Sequence, residues 1–373
     1  MQPITFGEVM KIPFNKPLNL KESFEEISQL QKIGKFSANG NSYKQCVKIL
    51  SRFSPKVILT SSCTAALEMC VLLLNIKKND EIIMPSFTHI GTANPFVRAG
   101  AKPIWSDINK QTKNITDFEK LITSKTKAII AVHYAGIACE IEKIKTICQK
   151  HDIFLIEDNA MGLGSFYNEK PLGSFGDLAV MSFHETKNIH CGEGGALFIN
   201  NSIFWEKSDI LYDYGTNKKK FLKNEVDKYA WVTLSSNFHI SELQTAFLLP
   251  QLKILAKINN VRKQHWHRYY DALSKKIPQE DLPYLPESCQ HNGHLFYLNT
   301  KNKKQRDLLL DKLHKANIEA VFHYTPLHSA PIWKGKFKNT KLPITTKVSN
   351  TIIRLPLFYD LQNDEIDYIV KQI

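Results

Sequence analysis

No CxxC pair occurs in this chain, and its seven cysteines, Cys46, Cys63, Cys70, Cys139, Cys148, Cys191 and Cys289, are odd in number. That argues against a disulfide framework and a thiolate zinc site, and it suits a reducing cytosol. No stretch reaches the roughly 18 uninterrupted apolar residues of a membrane span. The opening MQPITFGEVMK lacks the long apolar segment of a secretory leader. Internal repeats and low-complexity tracts are missing as well. No G-x-G-x-x-G follows a strand pattern, and no P-loop, H-E-x-x-H or G-x-S-x-G is present. Dinucleotide binding by a glycine fingerprint, P-loop phosphate chemistry, zinc proteolysis and nucleophile-elbow hydrolysis all lose their usual signatures.

What remains is a long chain with ample core material. The 373 residues are 43% hydrophobic and 10% aromatic. Length alone points to two or three domains. The charge balance is 49 − 36 = +13, which attracts anions such as phosphorylated small molecules. The densest basic run, KKKFLK at 218–223, is short. A lysine-rich solvated surface explains it better than a nucleic-acid patch.

Apolar runs and helical patterns alternate through the first two thirds. KVILTSS (56–62), EIIMPSF (81–87), KPIWSDI (102–108), KAIIAVHYAG (127–136), IFLIEDNA (153–160), DLAVMSFH (177–184) and GALFIN (195–200) read as strands. TAALEMCVLLLNI (64–76), THIGTANPFVRAG (88–100) and EIEKIKTICQKH (140–151) read as helical. Short continuous apolar runs of this kind imply a mostly parallel sheet covered on both faces, an α/β architecture. Ligands of such sheets sit at the carboxyl ends of strands. Beyond about residue 250 the texture becomes α+β. HLFYLNT (294–300) and IEAVFHY (318–324) read as strands, with helices at 303–317 and 363–373. The expected division is a large α/β domain, 1–250, and a small C-terminal α+β domain, 251–373.

Four features lie at expected strand ends. SSCTAAL (61–67) offers a helix N-terminus and the Thr64 hydroxyl, suited to a phosphate or simply to capping. FLIEDNA places Glu157 and Asp158 at the end of an apolar strand, as a salt-bridging acid or as an anion for a cationic ring nitrogen. Lys187 follows a strand and precedes GEGG, as a loop lysine or as a positioned amine able to form a Schiff base. SSNFHISELQTAFL (235–248) carries a polar turn into a helix opened by Ser241. Phosphate cradle, carboxylate and lysine in that order make a pyridoxal-phosphate constellation.

The blocks SSCTAALEM, EIIMPSFTHIGTAN, VHYAGIACE, IEDNA, SFHETKN, GEGGA, YGTN, VDKYAW, SELQTAFL, AVFHYTPLH and RLPLFYDL run in register along the chain. They resemble the sugar-nucleotide aminotransferases of the DegT/StrS type. The resemblance implies fold type I of the pyridoxal-phosphate enzymes, the aspartate-aminotransferase-like fold. It implies an aminotransferase that moves an amino group from L-glutamate to the 4-keto carbon of a dTDP-linked 6-deoxy sugar, in the cytoplasm and in the service of surface polysaccharide synthesis. Lys187 would be the catalytic lysine. Cys63, Thr64 and Ser182 would hold the cofactor phosphate, and Asn237 would reach it from the neighbouring subunit of a homodimer with shared active sites. Asp158 would pair with the pyridine nitrogen. His184, Glu185, Asn188, His190, Tyr324 and His328 would be available to the sugar.

Two positions depart from the family pattern. His89 stands where the family usually stacks Phe, Tyr or Trp on the cofactor ring. Met161 stands where Gln or His usually donates to the cofactor's phenolic oxygen, a bond that methionine cannot supply. Three competing readings follow: an aminotransferase giving the gluco epimer or using another nucleotide sugar, a cofactor-binding regulator without turnover, and a basic nucleic-acid-binding protein. The last lacks a helix-turn-helix, zinc or aromatic-basic signature.

Overall fold

The computed structural model describes residues 11–373. The opening stretch 1–10, on which the expectation about a secretory leader rests, lies outside the described residues. The strands are β1 (Val57–Thr60), β2 (Glu81–Pro85), β3 (Lys102–Ser106), β4 (Thr126–Val132), β5 (Phe154–Asp158), β6 (Phe166–Tyr167), β7 (Lys170–Pro171), β8 (Leu178–Ser182), β9 (Gly195–Ile199), β10 (Cys289–Gln290), β11 (Phe296–Asn299) and β12 (Ile352–Leu355).

A seven-stranded sheet has the order β1-β9-β8-β5-β4-β2-β3. Pairing is parallel from β3 through β8, and antiparallel where β9 joins β8 and β1. Strand side chains alternate between faces. Ile82, Met84, Ile130 and Val132 face helices Cys63–Leu73 and Ile90–Arg98. Ile83, Ile129, Ala131 and Leu155 face helix Ile141–Lys150. Towards β1 and β9, the second face is covered by Asn41–Leu50 and Glu242–Lys253, through Leu59, Ala179, Phe198 and Leu248. Burial on both faces explains why these strands read as unbroken apolar runs. No helix of the described residues is long and apolar enough to cross a membrane.

The helix opened by Ser241 is capped as its sequence implies. Ser241 Oγ accepts from Gln244 N, and the Gln244 side chain returns to the Ser241 N–H. Glu242 does more than begin the helix. It is buried, and its carboxylate accepts the N–H groups of Gly40 and Ser42 at 3.1 and 2.5 Å.

Later in the chain, β11 and β12 form an antiparallel pair. They pack with helices Leu255–Leu273, Lys303–Lys315 and Asn363–Lys371 around Trp266, Phe296, Leu313, Ile353 and Ile366. The strand expected over 318–324 does not form. Ile318 bridges Ile12 and Val321 bridges Arg354, one isolated bridge each. His323 and Tyr324 leave the sheet direction to pack on Phe87 and Tyr134. Pro326, which has no N–H to offer a ladder, follows.

β5 separates its two acids by the same alternation. Asp158 points to the face of Ile156, and Glu157 to the opposite face. Glu157 is fully buried and saturated: it accepts the N–H groups of Gly173, Phe175 and Gly176 at 2.8, 2.7 and 2.7 Å. Its Oε2 also meets His133 Nε2 at 2.9 Å. Because His133 Nδ1 accepts the Cys139 N–H at 3.1 Å, the ring proton sits on Nε2 and is donated to Glu157. Glu157 therefore anchors the loop that ends at β8. Glu157→Ala leaves these donors orphaned, and it should lower unfolding free energy by about 3 kcal/mol or more. A denaturant titration with an unchanged midpoint would show the contacts to be dispensable.

Candidate active site

The carboxyl ends of β2, β5 and β8 open towards one region. β1 delivers the chain to Ser62, which caps helix Cys63–Leu73 by accepting the Ala65 N–H at 3.0 Å. The N–H groups of Cys63 and Thr64 have no partner among the described residues, and the dipole of the helix favours an anion there. Gly195 of β9 lies against this turn so closely that a Cβ would meet Cys63 N at 2.4 Å. Only glycine fits.

β2 delivers His89, the cap of helix Ile90–Arg98. Its Nδ1 accepts the Gly91 N–H at 3.0 Å. Burial, and then the nearby Lys187, hold its pKa below the ordinary value, so the ring is neutral and its remaining proton sits on Nε2. A Cβ on Gly91 would stand 2.9 Å from His89 Nδ1 and 3.0 Å from Thr64 Oγ1. The two helix starts therefore share one corner. The His89 ring remains exposed, flanked by Tyr324 at 6.4 Å between centroids.

β5 delivers Asp158, which is buried. Its Oδ2 accepts from Thr92 Oγ1 at 2.7 Å and its Oδ1 from Ala160 N at 3.2 Å. Thr92 is in turn bonded to Thr88 at 2.9 Å. The carboxylate is thus aimed without being neutralised by a cation.

β8 ends at Ser182, and the turn that follows places Lys187. Its N–H donates to His184 O at 2.9 Å. Lys187 Nζ makes no hydrogen bond or ion pair among the described residues. Burial drives its pKa below the ordinary lysine value, while Cys63 and Asp158 pull the other way. The side chain lines a cavity of about 10 Å³ with Ser182, Met161, Asn188, Asn292 and His294. Met161 is buried, with Sδ accepting the Ala135 N–H at 3.3 Å.

The remaining expected residues divide. Tyr324 packs on Phe87 and Tyr134 beside His89. His328 Nδ1 meets Ser86 Oγ at 2.7 Å, hooking its loop onto the end of β2. His184 bonds Thr186, and Glu185 is exposed. Asn188 is enclosed, with both amide ends bonded internally. His190 is enclosed too: Nε2 donates to Leu18 O at 2.8 Å and Nδ1 accepts from Gly192 N at 3.3 Å. Asn188 and His190 therefore hold the lysine turn in place, Asn188 from the wall of the small cavity that Lys187 also lines. Asn237 is exposed beside the end of β1, where Thr60 bridges His239 and the Ser61 N–H donates to Phe238 O at 3.0 Å, and its Oδ1 accepts the His239 N–H at 3.1 Å.

Sequence reasoning passed over Thr92, Arg354 and His294. Arg354 of β12 lies over the Phe14 ring at 4.7 Å, with Nε buried and unpartnered. Its block, RLPLFYDL, was legible as a motif, but nothing in it singled out the arginine. Thr92 likewise lay within a legible block, EIIMPSFTHIGTAN, in which nothing singled it out.

An unpaired, half-buried amine, an aimed carboxylate, an exposed ring and two free N–H groups at a helix start fit pyridoxal phosphate. Cys63, Thr64 and Ser182 could take its phosphate, His89 its ring face and Asp158 its ring nitrogen. The comparisons agree. The DegT/DnrJ/EryC1/StrS aminotransferase family matches residues 18–373. The spore coat polysaccharide biosynthesis protein SpsC of Bacillus subtilis is 28% identical, over 97% of this chain and 96% of its own. The uncharacterized protein MJ1066 of Methanocaldococcus jannaschii is 32% identical, over 85% of this chain and 84% of its own. Among solved structures, the pyridoxal-phosphate form of the putative sugar aminotransferase Spr1654 of Streptococcus pneumoniae has a TM-score of 0.87 at 26% identity, covering 97% of both chains. Helicobacter pylori PseC, an aminotransferase of pseudoaminic acid biosynthesis, has a TM-score of 0.88 at 26% identity, covering 97% and 98%.

In cofactor-free protein, Lys187 should shed its proton at lower pH than surface lysines. Acylation followed by peptide mass mapping should then show its modification setting in at lower pH; a profile matching the surface lysines would contradict the site. The architecture is fold type I of the pyridoxal-phosphate enzymes, and the chain belongs to the DegT/DnrJ/EryC1/StrS family of pyridoxal-phosphate-dependent sugar aminotransferases.

Proposed function

We propose that the chain transfers an amino group from L-glutamate to the 4-keto carbon of dTDP-4-dehydro-6-deoxyglucose, giving dTDP-4-amino-4,6-dideoxygalactose. The observation that carries the transfer chemistry is the unpaired amine of Lys187 within electrostatic reach of the aimed carboxylate of Asp158. Bound there, pyridoxal phosphate supplies an electron sink and carries the amino group between the substrates. Asp158, oriented by Thr92 and the Ala160 N–H, keeps a ring N–H⁺ protonated. Lys187 takes the proton from the donor's α-carbon and returns one to the sugar carbon. Its lowered pKa keeps more of it in the basic form near neutral pH. His89 offers a neutral ring face for stacking. Tyr324 and His328 border the acceptor side, with His184 and Glu185 at the rim.

The nucleotide-sugar acceptor is supported by the family and by the polysaccharide and sugar roles named for relatives. The dTDP-linked 4-keto sugar is supported by FHETKN, VDKYAW and FHYTPLH. Polysaccharide precursors of the lipopolysaccharide O-antigen type, made in the cytoplasm, belong to the same reading. A homodimer is supported by the exposed apolar side chains that precede Asn237. Trp231 is 71% and Leu234 73% exposed, beside Tyr229 and Val232. A patch of that kind asks for a partner. Asn237 would then serve the partner's phosphate site. The division at 250/251 is part of the proposal, supported by the separate sheets of 57–199 and 296–355.

Enzyme supplied with L-glutamate and dTDP-4-dehydro-6-deoxyglucose should yield an amino sugar with a small H3–H4 proton coupling. A large coupling would assign the gluco epimer, and no amination would overturn the acceptor. Lys187→Ala should slow transfer on the order of 10²–10⁴-fold or more; retained turnover would remove Lys187 from the chemistry. Met161→Gln adds a donor beside the cofactor's phenolic oxygen. It should lower the pH at which the bound cofactor changes colour, by about one pH unit. An unchanged titration would leave Met161 as packing alone.

A further inference from the structure

We propose that His294 is a positioning residue for Lys187: its ring is locked in one tautomer so that Nε2 presents a permanent lone pair to the lysine amine. The inference rests on the reading of Lys187 as the reacting amine, and its geometry comes from a chain of asparagines. Asn259 Nδ2 donates to Leu163 O at 3.1 Å, which leaves Asn259 Oδ1 as an acceptor. Asn188 Nδ2 donates to that oxygen at 2.9 Å and to Asn292 O at 2.9 Å. Both amide protons of Asn188 are then committed, so its Oδ1 can only accept. His294 Nδ1 lies 2.9 Å from that oxygen and must carry the proton.

With one proton on Nδ1, the state of Nε2 depends on whether the ring is charged. The surroundings forbid a charge. His294 is buried, and the cations Lys187, Arg262 and Arg354 all face it. Burial first, and these cations next, hold its pKa well below the ordinary histidine value. Arg262, on helix Leu255–Leu273, also binds His294 O at 2.9 Å and fixes the backbone. The acidic groups facing the lysine are the Asp158 carboxyl on β5 and the Cys63 thiol on helix Cys63–Leu73, and burial keeps the thiol protonated and uncharged. Nε2 is therefore an acceptor, and it has no partner among the described residues.

His294 and Lys187 line the same cavity of about 10 Å³, which is room for about one water molecule. A hydrogen bond from Nζ to Nε2 through that water gives the amine a resting place when it is not bonded to anything else. It also supports the ammonium form, against the desolvation that disfavours it. The consequence is a lysine that stays oriented each time it is released. A flexible four-carbon side chain would otherwise sample many rotamers.

Two variants separate the ring's functions. His294→Asn keeps a donor where Nδ1 stood and removes the Nε2 acceptor. His294→Gln keeps an acceptor where Nε2 stood and loses the donor to Asn188. In cofactor-free protein, the pH profile of Lys187 acylation should fall by about one pH unit in His294→Asn and stay near wild type in His294→Gln. Nitrogen NMR of the wild type should show Nδ1 protonated and Nε2 bare, with no titration between pH 5 and 8 as is ordinary for histidine. An Nε2-protonated ring, a titrating ring, or an unchanged lysine profile in His294→Asn would overturn the assignment. None of these readouts needs cofactor or turnover. If pyridoxal phosphate fails to bond Lys187 in wild type, the functional reading falls while the tautomer and the lysine profile still decide this one.

Discussion

A half-buried lysine amine with no acid bonded to it is the constraint on which this site depends. An isolated ammonium in such a place is expensive, so the group gives up its proton more easily than a surface lysine. The fold answers with partial measures only. Asp158 and Cys63 are close enough to oppose the shift, yet neither is bonded to Nζ. Had Asp158 closed a salt bridge with Lys187, the amine would be neither basic nor free. Thr92 and the Ala160 N–H hold the carboxylate aside, ready for a different cation.

The rest of the architecture serves that separation. Alternation along β5 sends Glu157 and Asp158 to opposite faces, and gives one acid a structural task and the other an open one. Glu157 binds the loop into β8, and β8 ends where the lysine turn begins. The turn is then pinned from below by His190 to Leu18 and by Asn188 to Asn259 and Asn292. Glycines 91 and 195 let the helix starts and β9 approach without collision. From the other side, the 322–328 segment brings Tyr324 and His328 over the end of β2.

Much of this was legible in the sequence. Doubly buried strands read as apolar runs, so the sheet and its helices stood out at nearly their observed bounds. The lysine, the strand-end acid and the cap at Ser62 lay in local patterns that chemistry could interpret. The misses are long-range. IEAVFHY has the composition of a strand but only single bridges to Ile12 and Arg354, because its aromatic residues are needed elsewhere. Asn188 and His190 flank the lysine in sequence, and their inward bonds to Asn259, Asn292 and Leu18 have no local signature. His294 sits 107 residues beyond Lys187 (294 − 187), and its role depends on the orientation of two asparagine side-chain amides, Asn188 and Asn259, that no motif records.

The most direct measurement is borohydride reduction of the protein with pyridoxal phosphate, followed by mass mapping of the peptides, with and without prior L-glutamate. The account requires a pyridoxyl group on the peptide bearing Lys187, and its loss when L-glutamate has first converted the cofactor to its amine form. A label on a different lysine, or no label at all, would contradict the assignment of this site.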